Sequence, residues 1–438
     1  MLQSDFPYYN TIDQIYHTRW VTDKLARIER LRGIIADLWP AGHPTRFIHV
    51  AGTSGKGSVC KFLEAGFRTI GSAGSLTGPH LFDYCERFSI GTNDVTHADV
   101  TDAWENTVRP LSVAMARTTD KEGLGFGEVT MLIALVLFER YKLQWAAIEG
   151  FVGGRYDYPM ALNVDATILT NVGNDHAHLL GQNKWQRTLD KAGISRKGIP
   201  LILGTSDLDV VSIVDSVCSH VGAELLPTRP QNTQYCDDYV RNHSQEMPSD
   251  ALLHATHQVV NAATALTALQ RLIPHPDVQK IIGTMASLTM PGRLQQIEEG
   301  IYIDVAHNPD KILRLVDEVK KRFVNRKKLF LVGLSKKRSG NEVLTPIMDI
   351  ADTVIVSLPS HQGVDPMEVG KELASYNKGT RLEVIQNPQK AIAKLRHLRN
   401  HGDAIIITGS TYLIDDAINP DRLLQHIGAS AGWRSTTV

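Results

Sequence analysis

The chain has 438 residues, 42% of them hydrophobic and 21% charged, with a formal net charge of -1. That length accommodates two or three domains of about 150 residues each, and the composition is that of a globular protein rather than a disordered or fibrous one. Near-neutrality excludes a chain-wide attraction to nucleic acid or acidic membrane, so any anion must be bound by local features.

Met1 to Asn10 lacks the basic and apolar segments of a signal peptide. Residues 11–40 read as helical, with Trp20, Leu25, Ile28, Leu31, Ile34 and Ile35 at helical spacing. Phe47 to Ala51 is a short apolar strand, Gly52 to Gly57 a glycine-rich turn, and Val59 to Ile70 a helix. Strand, glycine turn and helix in that order open an α/β nucleotide-binding domain. The longest apolar run, Met131 to Phe138, is too short to span a bilayer and reads as a buried helix or strand. A strand at Trp145–Ile148 ends at Glu149, and another at Ala166–Val172 ends in Gly173-Asn174-Asp175-His176. Open parallel sheets bind ligands beyond the carboxyl ends of their strands, so these polar strand ends point to one shared crevice. Leu226 to Met247, rich in Pro, Asn, Gln and charge, is expected to be irregular or exposed. At Pro291-Gly292-Arg293 the composition shifts and an alternating pattern restarts, with strands expected at Ile301–Val305, Leu329–Leu334, Thr353–Leu358 and Ala404–Thr408. A helix is expected from Pro309, capped by Asn308. The expected domains are 1–293 and a smaller α/β domain at 294–438. Cys60, Cys85, Cys218 and Cys236 form no CxxC pair, which disfavours a zinc ribbon or disulfide framework and fits a reducing cytoplasm.

The strongest chemical signal is Gly52-Thr53-Ser54-Gly55-Lys56-Gly57-Ser58. Glycines let backbone N–H groups converge on phosphate oxygens, a helix N-terminus adds partial positive charge, and Lys56 supplies a mobile cation. The strict GxxxxGK[ST] pattern is not met, because Val50 and Gly57 stand at its first and last positions. The bland alternative is a surface turn. Glu149 at a strand end is a natural Mg²⁺ ligand beside a triphosphate, or else a solvated glutamate. His176 and His178 have no further Cys or His nearby to complete a zinc site, and Mg²⁺ prefers oxygen. On the residues alone, His176 is a capping or substrate-contacting histidine. Lys191, Arg293, Asp304 and His307 are each individually weak candidates: Lys191 could be a surface lysine and Arg293 a hinge residue.

In combination, these segments resemble the folylpolyglutamate synthase/dihydrofolate synthase family of the Mur ligase superfamily, over about residues 8–415. The motifs that carry the likeness are IHVAGTSGKGSV, LTGPHLFDYCERFSI, IEGFVGGRYD, TNVGNDHAHLLG, DKAGI, HQVVNAATAL, MPGRLQ, DVAHNPD and TGSTYL, the last resembling the family's final strand. The resemblance implies a P-loop, Mur-ligase-like central α/β domain with a parallel-rich sheet, followed by a smaller Rossmann-like α/β domain. It implies an ATP-dependent ligase adding L-glutamate to dihydropteroate or tetrahydrofolate through an acyl-phosphate, shielded from water by closure of the C-terminal domain. Gly52, Thr53, Ser54, Gly55, Lys56, Gly57 and Ser58 would hold ATP together with Asn261, Arg293, Asp304 and His307. Glu149, His176, Ser58 and Thr77 would serve two Mg²⁺ ions, and Lys191 would be N-carboxylated. Gly78, His80, Arg155, Tyr156 and Asp157 would line the site of the acid. A cytoplasmic monomer without nucleic-acid or membrane partners is expected.

The chain departs from the family pattern at Gly78, where a serine is usual, at the interruption Tyr158-Pro159-Met160, and at Ser335-Lys336-Lys337-Arg338, where Asp-Lys-Asp is usual. These departures keep two alternatives open: a Mur-family ligase for another acid and amino acid, and a nucleotide-binding module without catalysis.

Overall fold

The computed structural model describes residues 6–18, 24–91, 93–118, 123–174, 176–248, 250–335, 338–376 and 379–419. The chain divides into two compact units, one of residues 1–80 and 84–288, the other of residues 81–83 and 289–438.

The first unit is built on an eight-stranded sheet. Its strands are β1 (Arg46–Ala51), β2 (Ala73–Leu76), β3 (Phe88–Ile90), β4 (Asn93–Asp94), β5 (Trp145–Glu149), β6 (Ala166–Leu169), β7 (Leu201–Leu203) and β8 (Leu225–Pro227), in the order β4-β3-β2-β5-β1-β6-β7-β8. β3 pairs antiparallel with both β2 and β4 at one edge, and the other neighbours are parallel. β1 lies between β5 and β6, so the carboxyl ends of these three strands adjoin. A doubly wound sheet binds ligands at such a reversal of strand order. Both faces are covered, so β1, β5 and β6 are buried with scarcely an alternation.

Met131–Phe138 lies within the helix Phe126–Arg140, whose Leu132, Leu135 and Phe138 are fully buried. No helix among the described residues is long and apolar enough to cross a membrane.

Three readings differ from the structure. Residues 11–40 are not one helix but parts of two, Phe6–Tyr16 and Lys24–Leu38. Trp20 lies outside the described residues, and Leu25 faces solvent while Ile28, Leu31 and Ile34 are buried. Leu226–Met247 is not irregular: it contains the helix Pro230–His243. Pro230 suits a first helical turn, and Asn232 and Cys236, one turn apart, are buried, so the polar composition belongs to the solvent face. TGSTYL is not a strand throughout, because the last strand ends at Thr408 and a helix starts at Thr411.

The second unit has a six-stranded sheet of β9 (Gln295–Glu298), β10 (Ile301–Ile303), β11 (Lys328–Val332), β12 (Thr353–Val356), β13 (Arg381–Val384) and β14 (Ala404–Thr408), ordered β13-β12-β11-β14-β10-β9. Only the β9–β10 pair is antiparallel. Asn308 accepts from Lys311 N–H and caps the helix Pro309–Arg322. One face of this unit's core gathers Ile303, Leu331, Ile407 and Leu413 around Leu81, which arrives from the early tripeptide Leu81–Asp83.

Candidate active site

The turn after β1 is shaped by close approach. Gly52 has φ 147°, and a Cβ there would sit 1.9 Å from Thr170 Oγ1; Gly55 has φ 81°, and a Cβ there would sit 2.5 Å from Asn261 Oδ1. Both positions therefore require glycine. Gly55 in the left-handed region turns the chain directly into a helix at Lys56, three residues before the expected start.

The turn is fastened to the end of β6. Thr53 N–H donates to Asn171 O at 3.0 Å, Ser54 N–H to Asn171 Oδ1 at 3.0 Å, and Gly173 N–H to Thr53 Oγ1 at 2.9 Å. Thr170 Oγ1 and Asn171 Nδ2 both donate to Ser54 O, at 2.7 and 3.1 Å. Ser54 Oγ is buried without a hydrogen-bond partner among the described residues. Ser58 is buried in the first helical turn, and Gly57 beside it is buried.

Lys56 reaches across to β5, its Nζ 3.6 Å from Glu149 Oε1. Glu149 Oε2 accepts the Gly78 N–H at 3.0 Å. Thr77, buried, donates its N–H to Arg87 O at 2.9 Å. The ends of β1, β2 and β5 thus bring Lys56, Glu149 and the Thr77–Gly78 segment together.

Beneath this edge, Lys191 is buried and donates to Gly52 O at 3.2 Å. The Gly153–Gly154 pair allows that approach: a Cβ on Gly154 would sit 2.7 Å from the Lys191 Cα. Asp157 is buried, with Oδ1 accepting Tyr158 N–H at 2.8 Å and Oδ2 without a hydrogen-bond partner among the described residues. Burial pushes its carboxyl up to about 7, against the opposing pull of the Tyr158 N–H, Lys56, Arg27 and Lys191. Tyr156 and Arg155 are exposed, and Tyr156 O accepts from Arg27 Nη2 at 3.0 Å.

His176 sits in the left-handed region at the start of a short helix. Its loop is braced by buried Arg187, which donates to Gly173 O, Gly181 O and Gln182 O at 2.9, 3.0 and 2.8 Å. Asp175 and the His178 side chain lie outside the described residues, as do Lys336 and Lys337. Asn261 is buried against Gly55 and donates to Gln258 Oε1 at 2.9 Å.

The remaining candidates lie in the second unit. Asp304 accepts Leu294 N–H at 2.9 Å and Ala306 N–H at 2.8 Å, and burial raises its pKa against the pull of Arg293. His307 Nδ1 donates to Val305 O at 2.8 Å, and Lys311 Nζ lies 3.3 Å from its Nε2. Half-buried Arg293 has Nη1 3.4 Å from Gly292 O. A hollow lined by Lys328, Asp352 and Thr380 is at the amino ends of the strands, away from these residues.

Several side chains that organise the site were missed from sequence. Asn171 and Thr170 stand in the quoted strand end, and Arg187 had no signal at all. His49, on β1, is fully buried with neither ring nitrogen hydrogen-bonded among the described residues, and burial holds its pKa well below the ordinary value. Arg87 and His80 are joined by a 2.8 Å hydrogen bond.

Comparison with known proteins bears on this arrangement. Residues 292–411 match the family described as Mur ligase, glutamate ligase domain. The chain is 30% identical over 329 residues to the dihydrofolate synthase/folylpolyglutamate synthase of Escherichia coli (strain K12), covering 73% of each. It is 24% identical over 415 residues to the Bacillus subtilis (strain 168) protein of the same name, covering 88% of this chain and 93% of that one. Among solved structures, the fold matches Mycobacterium tuberculosis folylpolyglutamate synthase complexed with ADP, with TM-score 0.80, 20% identity and 99% of each chain covered. It matches E. coli FolC in complex with DHPP and ADP, with TM-score 0.75, 21% identity and 95% and 96% covered. It also matches a bifunctional folylpolyglutamate synthase/dihydrofolate synthase with Mn, AMPPNP and L-glutamate bound, with TM-score 0.73, 22% identity and 96% of each covered. With a relative of that identity and coverage, and with a glycine turn, lysine and strand-end glutamate gathered at one sheet edge, the chain belongs to the dihydrofolate synthase/folylpolyglutamate synthase family of ligases.

Proposed function

We propose that this protein is an ATP-dependent ligase that joins L-glutamate to dihydropteroate or a reduced folate through an acyl-phosphate. The observation that carries the proposal is the convergence of the Gly52–Gly57 turn, Lys56 and Glu149 at the carboxyl ends of β1 and β5. A carboxylate attacks a polyanionic phosphate poorly, and fixed cations and amide dipoles relieve that repulsion. The Gly55–Ser58 amides and Lys56 would hold the transferring phosphate, and Asn261 the base. Arg293 and His307 would serve the nucleotide from the second unit, and Asp304, whose two oxygens accept the Leu294 and Ala306 N–H groups, would hold the turns that carry them. Asp157, with Arg155 and Tyr156, would meet the acid, and at neutral pH a carboxyl shifted to about 7 can donate as well as accept a hydrogen bond.

The donor set fits a divalent cation: Glu149 is a nearly buried carboxylate that meets one lysine and one amide, and Ser58 and Thr77, each buried and close in sequence to those partners, offer hard oxygens. Glu149, Ser58, Thr77 and His176 would hold Mg²⁺, two ions in all, which when bound neutralise developing charge on the phosphate oxygens. Lys191 would be N-carboxylated. Lys191 is buried, and a carbamate would keep one N–H for Gly52 O. We assign residues 1–293 to the ATP-handling domain and 294–438 to the glutamate ligase domain, in a monomer of the cytoplasm.

The test is ADP release with ATP and Mg²⁺ across a panel of acids and amino acids, with products read by mass spectrometry. Release that requires both acid and amine is expected. Release without either partner overturns the ligase reading, and a product from another acid or amino acid overturns the folate assignment alone.

A further inference from the structure

On the far side of Glu149 from Lys56 lies a second cation that the preceding reading leaves without a role. Arg87 is half-buried just before β3, and no carboxylate pairs with it among the described residues. Its Nε donates to His80 Nδ1 at 2.8 Å. A guanidinium cannot accept, so Nδ1 is the acceptor, and neutral His80 carries its proton on Nε2 and donates it to Tyr16 Oη at 2.8 Å. Burial and the neighbouring Arg87 both hold the His80 pKa well below its ordinary value, which agrees with a neutral ring. The Arg87 Cζ stands 5.2 Å from the Phe126 ring centroid and 5.6 Å from that of Tyr84. One hydrogen bond and two ring contacts thus fix the guanidinium. Its Nη1 lies 2.8 Å from where a Gly78 Cβ would be, so the glycine is what admits it.

We propose that Arg87 is a substrate-binding residue that takes the reacting carboxylate of the acid through its Nη1–Nη2 edge, with His80 and Tyr16 as positioning residues. This rests on the ligase reading above. The order along the edge is Lys56, Glu149, Gly78, Arg87, given by Lys56 Nζ to Glu149 Oε1 at 3.6 Å and Gly78 N–H to Glu149 Oε2 at 3.0 Å. Phosphoryl transfer must bring two anions together. A lysine is a mobile point charge suited to phosphate, whereas a planar guanidinium fork matches a carboxylate. Pinning Nε on His80 leaves the other edge of the fork without a hydrogen-bond partner among the described residues and holds it in one plane, so little rotamer entropy is lost when a carboxylate docks.

The experiment pairs steady-state kinetics with equilibrium binding of dihydropteroate and of its carboxamide. For Arg87→Gln, the KM for the acid should rise roughly 10- to 100-fold, the scale of a charge-assisted hydrogen bond. The KM for ATP and for L-glutamate should stay within about 2-fold, since neither is the ligand proposed for this fork. Wild-type protein should prefer the acid over the carboxamide, and Arg87→Gln should erase that preference. Arg87→Lys, which keeps the charge and loses the fork, should fall between the two and carries the same test if the glutamine variant does not fold. His80→Gln should weaken the preference without abolishing it. A rise in the KM for ATP or L-glutamate instead, or an acid preference that survives in both Arg87 variants, overturns the assignment. A wild-type protein that releases no ADP with any acid and amine overturns the underlying ligase reading.

Discussion

At the carboxyl edge of the first sheet, Lys56 and Glu149 approach each other across the ends of β1 and β5, and the amides of the glycine turn are held in place by Thr170 and Asn171. At the corresponding edge of the second sheet, Asp304 gives both oxygens to the N–H groups of Leu294 and Ala306, and Thr408 Oγ1 and Gly409 N–H donate to Ala306 O at 3.2 and 2.9 Å. Both sheets are largely parallel and both carry polar residues just past their strands. In the first, the charged groups are gathered at a glycine turn. In the second, the buried carboxylate is consumed by its own turns. A polar strand end therefore marks where a site can be, and the hydrogen-bond partners decide whether it holds a ligand or a loop.

That contrast can be broken most sharply at Lys56. Lys56→Ala should lower turnover by about 10²- to 10³-fold, as loss of a preorganised charge at a phosphate does, with little change in melting temperature. Unchanged ADP release would remove the lysine from the chemistry. Gly55→Ala forces a Cβ onto Asn261 Oδ1 and a left-handed φ onto alanine, which alone costs roughly 1–2 kcal/mol. It should abolish the thermal stabilisation produced by ADP, and stabilisation equal to wild type would show that the turn does not hold the nucleotide. Asp304→Asn should instead act on stability. It leaves one of two buried amides without an acceptor at a cost of about 1–3 kcal/mol, read as a lower denaturant midpoint. Full stability with impaired ATP binding would place Asp304 with Lys56 rather than opposite it.

A pH-dependent effect concerns Asp157. Its folded pKa of about 7 lies above the unfolded carboxylate value near 4, so the folded state holds the extra proton between them. Its contribution to stability is therefore lost as pH rises from about 4 to about 7 and is flat above that. Asp157→Asn keeps the acceptor for Tyr158 N–H and should gain on wild type across that window in urea melts. A difference independent of pH would mean that the carboxyl titrates normally.

Much of the first sheet's edge was legible because it depends on local order. A strand, a Gly-Thr-Ser-Gly-Lys turn and a helix are contiguous, and Glu149 follows its strand directly. The fold class could be read from the same alternation. What escaped depends on partners distant in sequence. Arg187 braces carbonyls five to fourteen positions away, and Asn171 reaches the turn across 117 positions. Arg87 gains its meaning only beside Tyr16, Phe126 and the absent side chain of Gly78. The helix Pro230–His243 escaped for a different reason, since a solvated helix with a narrow buried stripe has the composition of a loop.

Leu81 has a further consequence. The hydrophobic face shared by Ile303, Leu331 and Ile407 includes a residue synthesised more than two hundred positions earlier. A fragment beginning at Thr289 would contain every strand of the second sheet yet leave that patch bare to water. Closing that patch waits on a contact of very long sequence separation, which is entropically slow to form.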